Sequence, residues 1–151
     1  MALPQELVSP ISVDLRAEEL KLDIVKGIEF LKVIDGKLDS GDVEEGDWVK
    51  RTATGFAPPS SSSVAHVYPV ITGNNRYDSL ATGQVTVAVG GGFIYKTKKF
   101  VSGSYAVGDK LCVKDLGGGE MVPSAAGGSD AVVARVFSYD AAKGIMEIEV
   151  L

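Results

Sequence analysis

Short stretches of strict apolar–polar alternation, each closed by turn-forming residues, set the limits on what this chain can become. In "QVTVAV", Val85, Val87 and Val89 face one way while Gln84, Thr86 and Ala88 face the other; in "IMEIEVL", Met146, Ile148 and Val150 lie opposite Glu147 and Glu149. A period of two residues is that of a strand with one buried face. The same reading covers "ISVDL" (Ile11, Val13, Leu15), "IEFLKVI" from Ile28, "VAHVYPVI" from Val64, "FIYKTKKF" from Phe93, "KLCVK" from Lys110 and "AVVARVF" from Ala131. Between them stand "DGKLDSGD", "SGSYAVGD", "DLGGGE", "AAGGSD" and "YDAAKG", whose residues tolerate tight or left-handed turns. Roughly ten short strands at spacings of about ten residues predict an all-β fold, either a small antiparallel β-barrel or β-tulip or a sandwich.

The domain organisation follows from where this pattern stops. Residues 1–10, with Pro4 and Pro10, read as an extended N-terminal arm, and residues 11–151 as a single β domain. "APPSSSS" (57–63) reads as an exposed loop that would set off a minor N-terminal lobe ending near residue 56. The stretch "AEELKLDIVKG" (17–27) satisfies two periods. Leu20 and Ile24 sit one helical turn apart, with Gly27 as a stop, yet Leu20, Leu22 and Ile24 also alternate with Lys21, Asp23 and Val25, so helix and strand both stay open.

One pattern occurs twice. "GDWVKRTATGFAPPS" (46–60) and "GDKLCVKDLGGGEMVPS" (108–124) both run Gly-Asp, an apolar-bearing segment, glycine, a second apolar-bearing segment and Pro-Ser. Each reads as a β-hairpin: Gly46-Asp47 leads into Trp48 and Val49 with Gly55 closing the turn, and Gly108-Asp109 leads into Leu111 and Val113 with Gly117–Gly119 closing it. Chance recurrence of a common strand entry and internal duplication account for the repeat equally well.

Residues that would carry chemistry are sparse. The formal charge of -5 disfavours nucleic acid as a partner, because phosphates repel an acidic surface. Lys96, Lys98 and Lys99 in "YKTKKF" read as guards of an exposed strand edge. His66 is the only histidine and Cys112 the only cysteine, so no histidine cluster, cysteine zinc site or internal disulfide is expected. The acidic run "DSGDVEEGD" (Asp39, Asp42, Glu44, Glu45, Asp47) lacks the ligand series of a calcium loop and reads as a solvated turn. No catalytic residue, metal or cofactor is expected. No apolar run is long enough to cross a membrane as a helix, and "MALPQELVSPISVDL" lacks the plan of a signal peptide. The polar loop "TGNNRYDSLATG", with Asn74, Asn75, Arg76, Tyr77 and Asp78, is a candidate for partner recognition.

The run from "YPVITGNNRYDSLATGQVTVAVGGGFIYKTKKF" through "YAVGDKLCVKDLGGGEMVPS" to "AVVARVFSYDAAKGIMEIEVL" resembles the capsid decoration, or cement, proteins of tailed bacteriophages, over roughly residues 66 to 151. The resemblance implies a protein made in the bacterial host cytoplasm and carried on the outer surface of the virion. It implies a β-barrel or β-tulip, commonly a homotrimer at local threefold positions, that clamps adjacent major capsid subunits and often uses an extended N-terminal arm. It transfers no set of site residues. Aromatic side chains are the natural anchors of such contacts. Trp48, Phe93, Tyr95 and Phe100, with Tyr77 of the polar loop, are therefore the interface candidates, and burial in the protomer core is the alternative for the first four. An adhesion module of a phage tail or fibre that binds carbohydrate through Trp48, Tyr68 and Tyr77 is the competing expectation. A hydrolase using Asp42, Glu45 and Asp47 ranks below both.

Overall fold

The computed structural model describes residues 20–41, 43–71, 83–116 and 120–151. The expected arm at 1–10, the "ISVDL" strand, Asp42, the polar loop with Tyr77, and Gly117–Gly119 lie outside the described residues. Eleven strands form among the described residues: β1 (Asp23–Lys26), β2 (Val33–Lys37), β3 (Trp48–Arg51), β4 (Phe56–Ala57), β5 (Val67–Pro69), β6 (Gln84–Ala88), β7 (Ile94–Thr97), β8 (Lys110–Asp115), β9 (Met121–Ala125), β10 (Ala134–Asp140) and β11 (Ile145–Val150). They make a six-stranded sheet in the order β1-β7-β11-β10-β8-β9, a three-stranded sheet β4-β3-β5 and a pair β2-β6. Every pairing between these strands is antiparallel. The sheets do not close into a barrel, and the arrangement is sandwich-like.

The three-stranded sheet has apolar packing on both faces. Trp48 and Val67 enter a core shared with Phe93, Tyr95, Leu111, Met146 and Ile148 of the six-stranded sheet. Their neighbours Val49 and Tyr68 turn the other way, into a second core built from Val43, Phe56, Val70, Val85 and Val87. A strand covered on both faces loses its alternation of burial. Hence Trp48 and Val49 are adjacent in sequence and both buried.

The ambiguous stretch resolves to strand where it is described, since Ile24 of β1 pairs with Tyr95 of β7. Two strand expectations need correction. Ile28–Phe30 is a 3-10 turn, and the strand expected from Ile28 begins only at Val33. β2 then runs through Asp35-Gly36, which the sequence marks as a turn. Gly36 is required there by packing, because a Cβ would stand 2.5 Å from the Phe56 ring. The lysine-rich segment is also not an edge: β7 pairs with β1 on one side and β11 on the other. Lys96 sits between Asp23 and Glu147 in register, so acids on both neighbouring strands offset its charge in mid-sheet. Strand pairing crosses the boundary expected near residue 56, with β1 joined to β7 and β2 to β6. The serine loop is tied down as well: the Ala131 amide donates to the Ser62 carbonyl at 2.9 Å.

The doubled sequence pattern is a doubled structure. In Glu44–Asp47 the Asp47 amide donates to the Glu44 carbonyl at 3.0 Å, and the Glu44 amide donates to the Asp47 carboxylate at 2.9 Å. Ala106–Asp109 repeats both bonds at 3.0 and 2.9 Å. The third residue is glycine in each, Gly46 at φ 91° and Gly108 at φ 90°, as a type II turn demands. Each turn is held by one valine of a neighbouring strand segment. Gly46 donates to Val70 and Val70 to Asp47 at 3.1 and 2.8 Å; Gly108 donates to Val136 and Val136 to Asp109 at 2.8 and 2.9 Å. The strand orders β4-β3-β5 and β9-β8-β10 match as well.

The two turns differ in their surroundings. A Cβ on Gly46 would stand 2.6 Å from the Lys21 carbonyl oxygen, whereas one on Gly108 meets nothing within 4 Å. Gly108→Ala should therefore cost only the left-handed backbone penalty of about 1–2 kcal/mol. Gly46→Ala should cost clearly more, because the Lys21 backbone must also move. Urea unfolding midpoints of the two variants check this, and equal losses would contradict it.

Candidate interaction surface

Three of the five interface candidates are interior residues. Trp48, Phe93 and Tyr95 are 1%, 0% and 0% exposed. The Trp48 indole N–H donates to the Tyr95 hydroxyl at 3.0 Å, satisfying both groups inside the core. Burial pushes the Tyr95 phenol well above its ordinary pKa, with the Trp48 bond opposing that only in part. These side chains join the sheets and present no face to a partner. Phe100 is half-buried in an edge-to-face trio with Tyr105 and Tyr139, at centroid distances of 5.7 and 5.9 Å. The Tyr105 hydroxyl donates to the Val101 carbonyl and the Tyr139 hydroxyl to that of Gly103, which fixes the trio on its loop. Tyr77 lies outside the described residues.

The acidic run is divided between two structures and is not wholly solvated. Asp39 accepts hydrogen bonds from the Thr52 and Thr54 hydroxyls, which lower its pKa. Asp47 and Glu44 converge on Lys99, whose Nζ lies 2.5 Å from Asp47 Oδ1, 3.0 Å from Glu44 Oε1 and 3.9 Å from Glu120 Oε2. Lys21 takes the other Glu44 oxygen at 3.0 Å. Burial holds the Asp47 carboxyl above the usual carboxylate range even with Lys99 beside it. Burial opposes the Lys99 charge, but Asp47 and Glu44 outweigh it and raise the ammonium's pKa. Among the described residues, no group of three or more histidine, cysteine, aspartate or glutamate side chains is placed to hold a metal ion. His66 is exposed, and Cys112 is buried with its thiol pKa pushed up by desolvation.

Large apolar side chains are exposed elsewhere among the described residues, and none of them is one of the interface candidates. Ile28, Phe30 and Val33 are 68%, 59% and 49% exposed on the 3-10 turn and the start of β2. Phe30 lies over the glycine turn after β6, with its Cβ and Cγ 3.6 and 3.7 Å from where a Gly92 side chain would begin. The chain end packs on the same turn, because a Cβ on Gly91 would stand 2.4 Å from the Leu151 carbonyl carbon. Leu151 and Val132, 52% and 42% exposed, continue the surface into a cleft of about 130 Å³ floored by Val67, Val89 and Val133 and walled by Tyr68. Exposed apolar side chains gathered in one region mark contact surfaces on soluble proteins. The signal in the sequence was "GGGF", where three small residues leave room for Phe30 and Leu151 to converge. Phe137, 38% exposed, sits elsewhere under the Lys26 ammonium, 5.1 Å from its ring centre.

No family model, curated protein or solved structure matches the chain. No helix among the described residues is long and apolar enough to cross a membrane.

Asp130 provides a pH-dependent test of the loop connections. The Ser62 hydroxyl, then the Gly127 amide and Lys114, hold its pKa at about 2, against 3.8 for an ordinary aspartate. A carboxyl with a depressed folded-state pKa adds stability that is complete above its unfolded value and lost as pH falls through its folded one. Asp130→Asn should therefore remove stability at neutral pH and flatten the acid limb between pH 3.8 and about 2. Chemical denaturation across that range measures it, and an unchanged acid limb would contradict the assignment.

Proposed function

We propose that this protein is a head-stabilising, or cement, protein of a tailed bacteriophage. In this reading it binds the outer surface of the icosahedral capsid as a homotrimer and clamps adjacent major capsid subunits. The observation that carries the reading is the exposed apolar Phe30, Leu151 and Val132, set around the glycine turn after β6 and the cleft beside it on an all-β scaffold. The sequence resemblance over residues 66 to 151 supplies the partner. Trimeric presentation would repeat the surface three times, so that individually weak contacts act together once one has formed. Of the three residues on which the carbohydrate-binding alternative relies, Trp48 is interior, Tyr68 walls the small cleft and Tyr77 lies outside the described residues.

Phage heads assembled without this protein provide the test. Added protein should co-sediment with the heads and raise their resistance to heat. Phe30→Ser combined with Leu151→Ser should weaken that binding by at least about tenfold, which corresponds to 1.4 kcal/mol. The melting temperature of the free protein should change little, because both side chains are exposed. Failure of the wild-type protein to join heads would overturn the proposal.

A further inference from the structure

The meeting of Lys99, Asp47 and Glu44 exceeds what a surface ion pair requires. Side-chain exposure is 11% for Lys99 and 3% for Asp47, and their Nζ–Oδ1 separation is 2.5 Å. The other Asp47 oxygen, Oδ2, accepts the Glu44 backbone amide at 2.9 Å. A second carboxylate oxygen, Glu44 Oε1, lies 3.0 Å from the same Nζ. The parts of an amide-forming site are thus in place: an amine against a carboxyl, a backbone donor where negative charge would develop, and a carboxylate able to carry a proton.

We infer that Lys99 and Asp47 condense within the folded protein to an intramolecular isopeptide bond, with Glu44 as the proton carrier. One proton passes from the Lys99 ammonium to Asp47 Oδ1 along the existing hydrogen bond, giving a neutral amine and a carboxylic acid. Nζ then attacks Asp47 Cγ; the new C–N bond forms while charge collects on Oδ2, which faces the Glu44 amide. Glu44 takes a second proton from nitrogen and delivers it to Oδ1. The Cγ–Oδ1 bond breaks and Oδ1 leaves as water. An ammonium and a carboxylate become a secondary amide and one water, and no oxidant or co-reactant is consumed.

Two physical factors favour the step. Burial disfavours separated charge and so supports the neutral pair through which the reaction passes. Fixed juxtaposition supplies the effective concentration, which for well-oriented intramolecular reactions reaches about 10⁵–10⁸ M. The flanking carboxylates keep Lys99 mainly protonated, so the reactive form is a minor one and the bond accumulates after folding. Gly46 fits this role, because a Cβ there would stand 3.0 Å from Lys99 Cδ and displace the amine's stem. The inference does not depend on the capsid reading.

The test is the intact mass of the full chain, measured after denaturation and after the folded protein has been held until its mass stops changing. The expected mass is lower than that of the sequence by about 18 Da, one water, with a fragment spectrum joining the peptides that carry residues 47 and 99. Asp47→Asn should instead lose about 17 Da, because ammonia becomes the leaving group. Lys99→Arg should show no loss, and Glu44→Gln should leave the chain uncondensed. An unshifted wild-type mass overturns the inference, as does a water loss that persists in Lys99→Arg, which would place the dehydration elsewhere. Condensation that persists in Glu44→Gln overturns the role given to Glu44.

Discussion

The rest of the structure depends on how one lysine is held. Lys99 leaves the end of β7 in the six-stranded sheet and reaches the turn that starts β3 in the three-stranded sheet. Its bonds to Asp47 and Glu44, the Lys21–Glu44 bond and the longer Glu120 contact bring four separate chain segments to one point. A buried carboxylate left without its cation costs about 3–5 kcal/mol, a large share of a domain's total stability. The same point fixes the Asp47 turn, the turn sets the register of Trp48 against Pro69, and that register aims Trp48 at Tyr95.

From that bond outward the molecule is organised by a strand with two buried faces. β3 sends Trp48 into one core and Val49 into the other, so the two cores cannot shift independently without breaking it. The glycine turn after β6 lies against this packed interior. It places Phe30 and Leu151 at the surface because their neighbours, Gly90, Gly91 and Gly92, have no side chains with which to cover them. The exposed apolar region is thus a product of the core's geometry.

The fold class and both hairpins were legible in the sequence because they rest on local rules. Alternation in residues 145–150 and the Gly-Asp turns needed no knowledge of distant neighbours. What could not be read was decided by contacts far apart in the chain. Trp48 and Tyr95 have the composition of surface anchors, and only the stacking of two sheets makes them interior. Lys96 looks like an edge guard until Asp23 and Glu147 are placed on its two sides. Phe30 looks like part of a half-buried strand, and only the 3-10 turn lifts it to the surface. The acidic run similarly hid Asp47, whose role depends on a lysine fifty-two positions away.

Native-state hydrogen exchange tests most directly whether the Lys99 contacts make the two sheets one cooperative unit. The backbone amides of Lys50 in β3 and Cys112 in β8 are the reporters, since each faces a paired strand, at Ala57 of β4 and Ser124 of β9. If the Lys99 contacts and the shared strand govern the molecule, both amides exchange only through global opening, with the same free energy and the same dependence on denaturant. Exchange at Lys50 with a distinctly lower opening free energy than at Cys112 would show that the three-stranded sheet opens by itself, and would contradict the account.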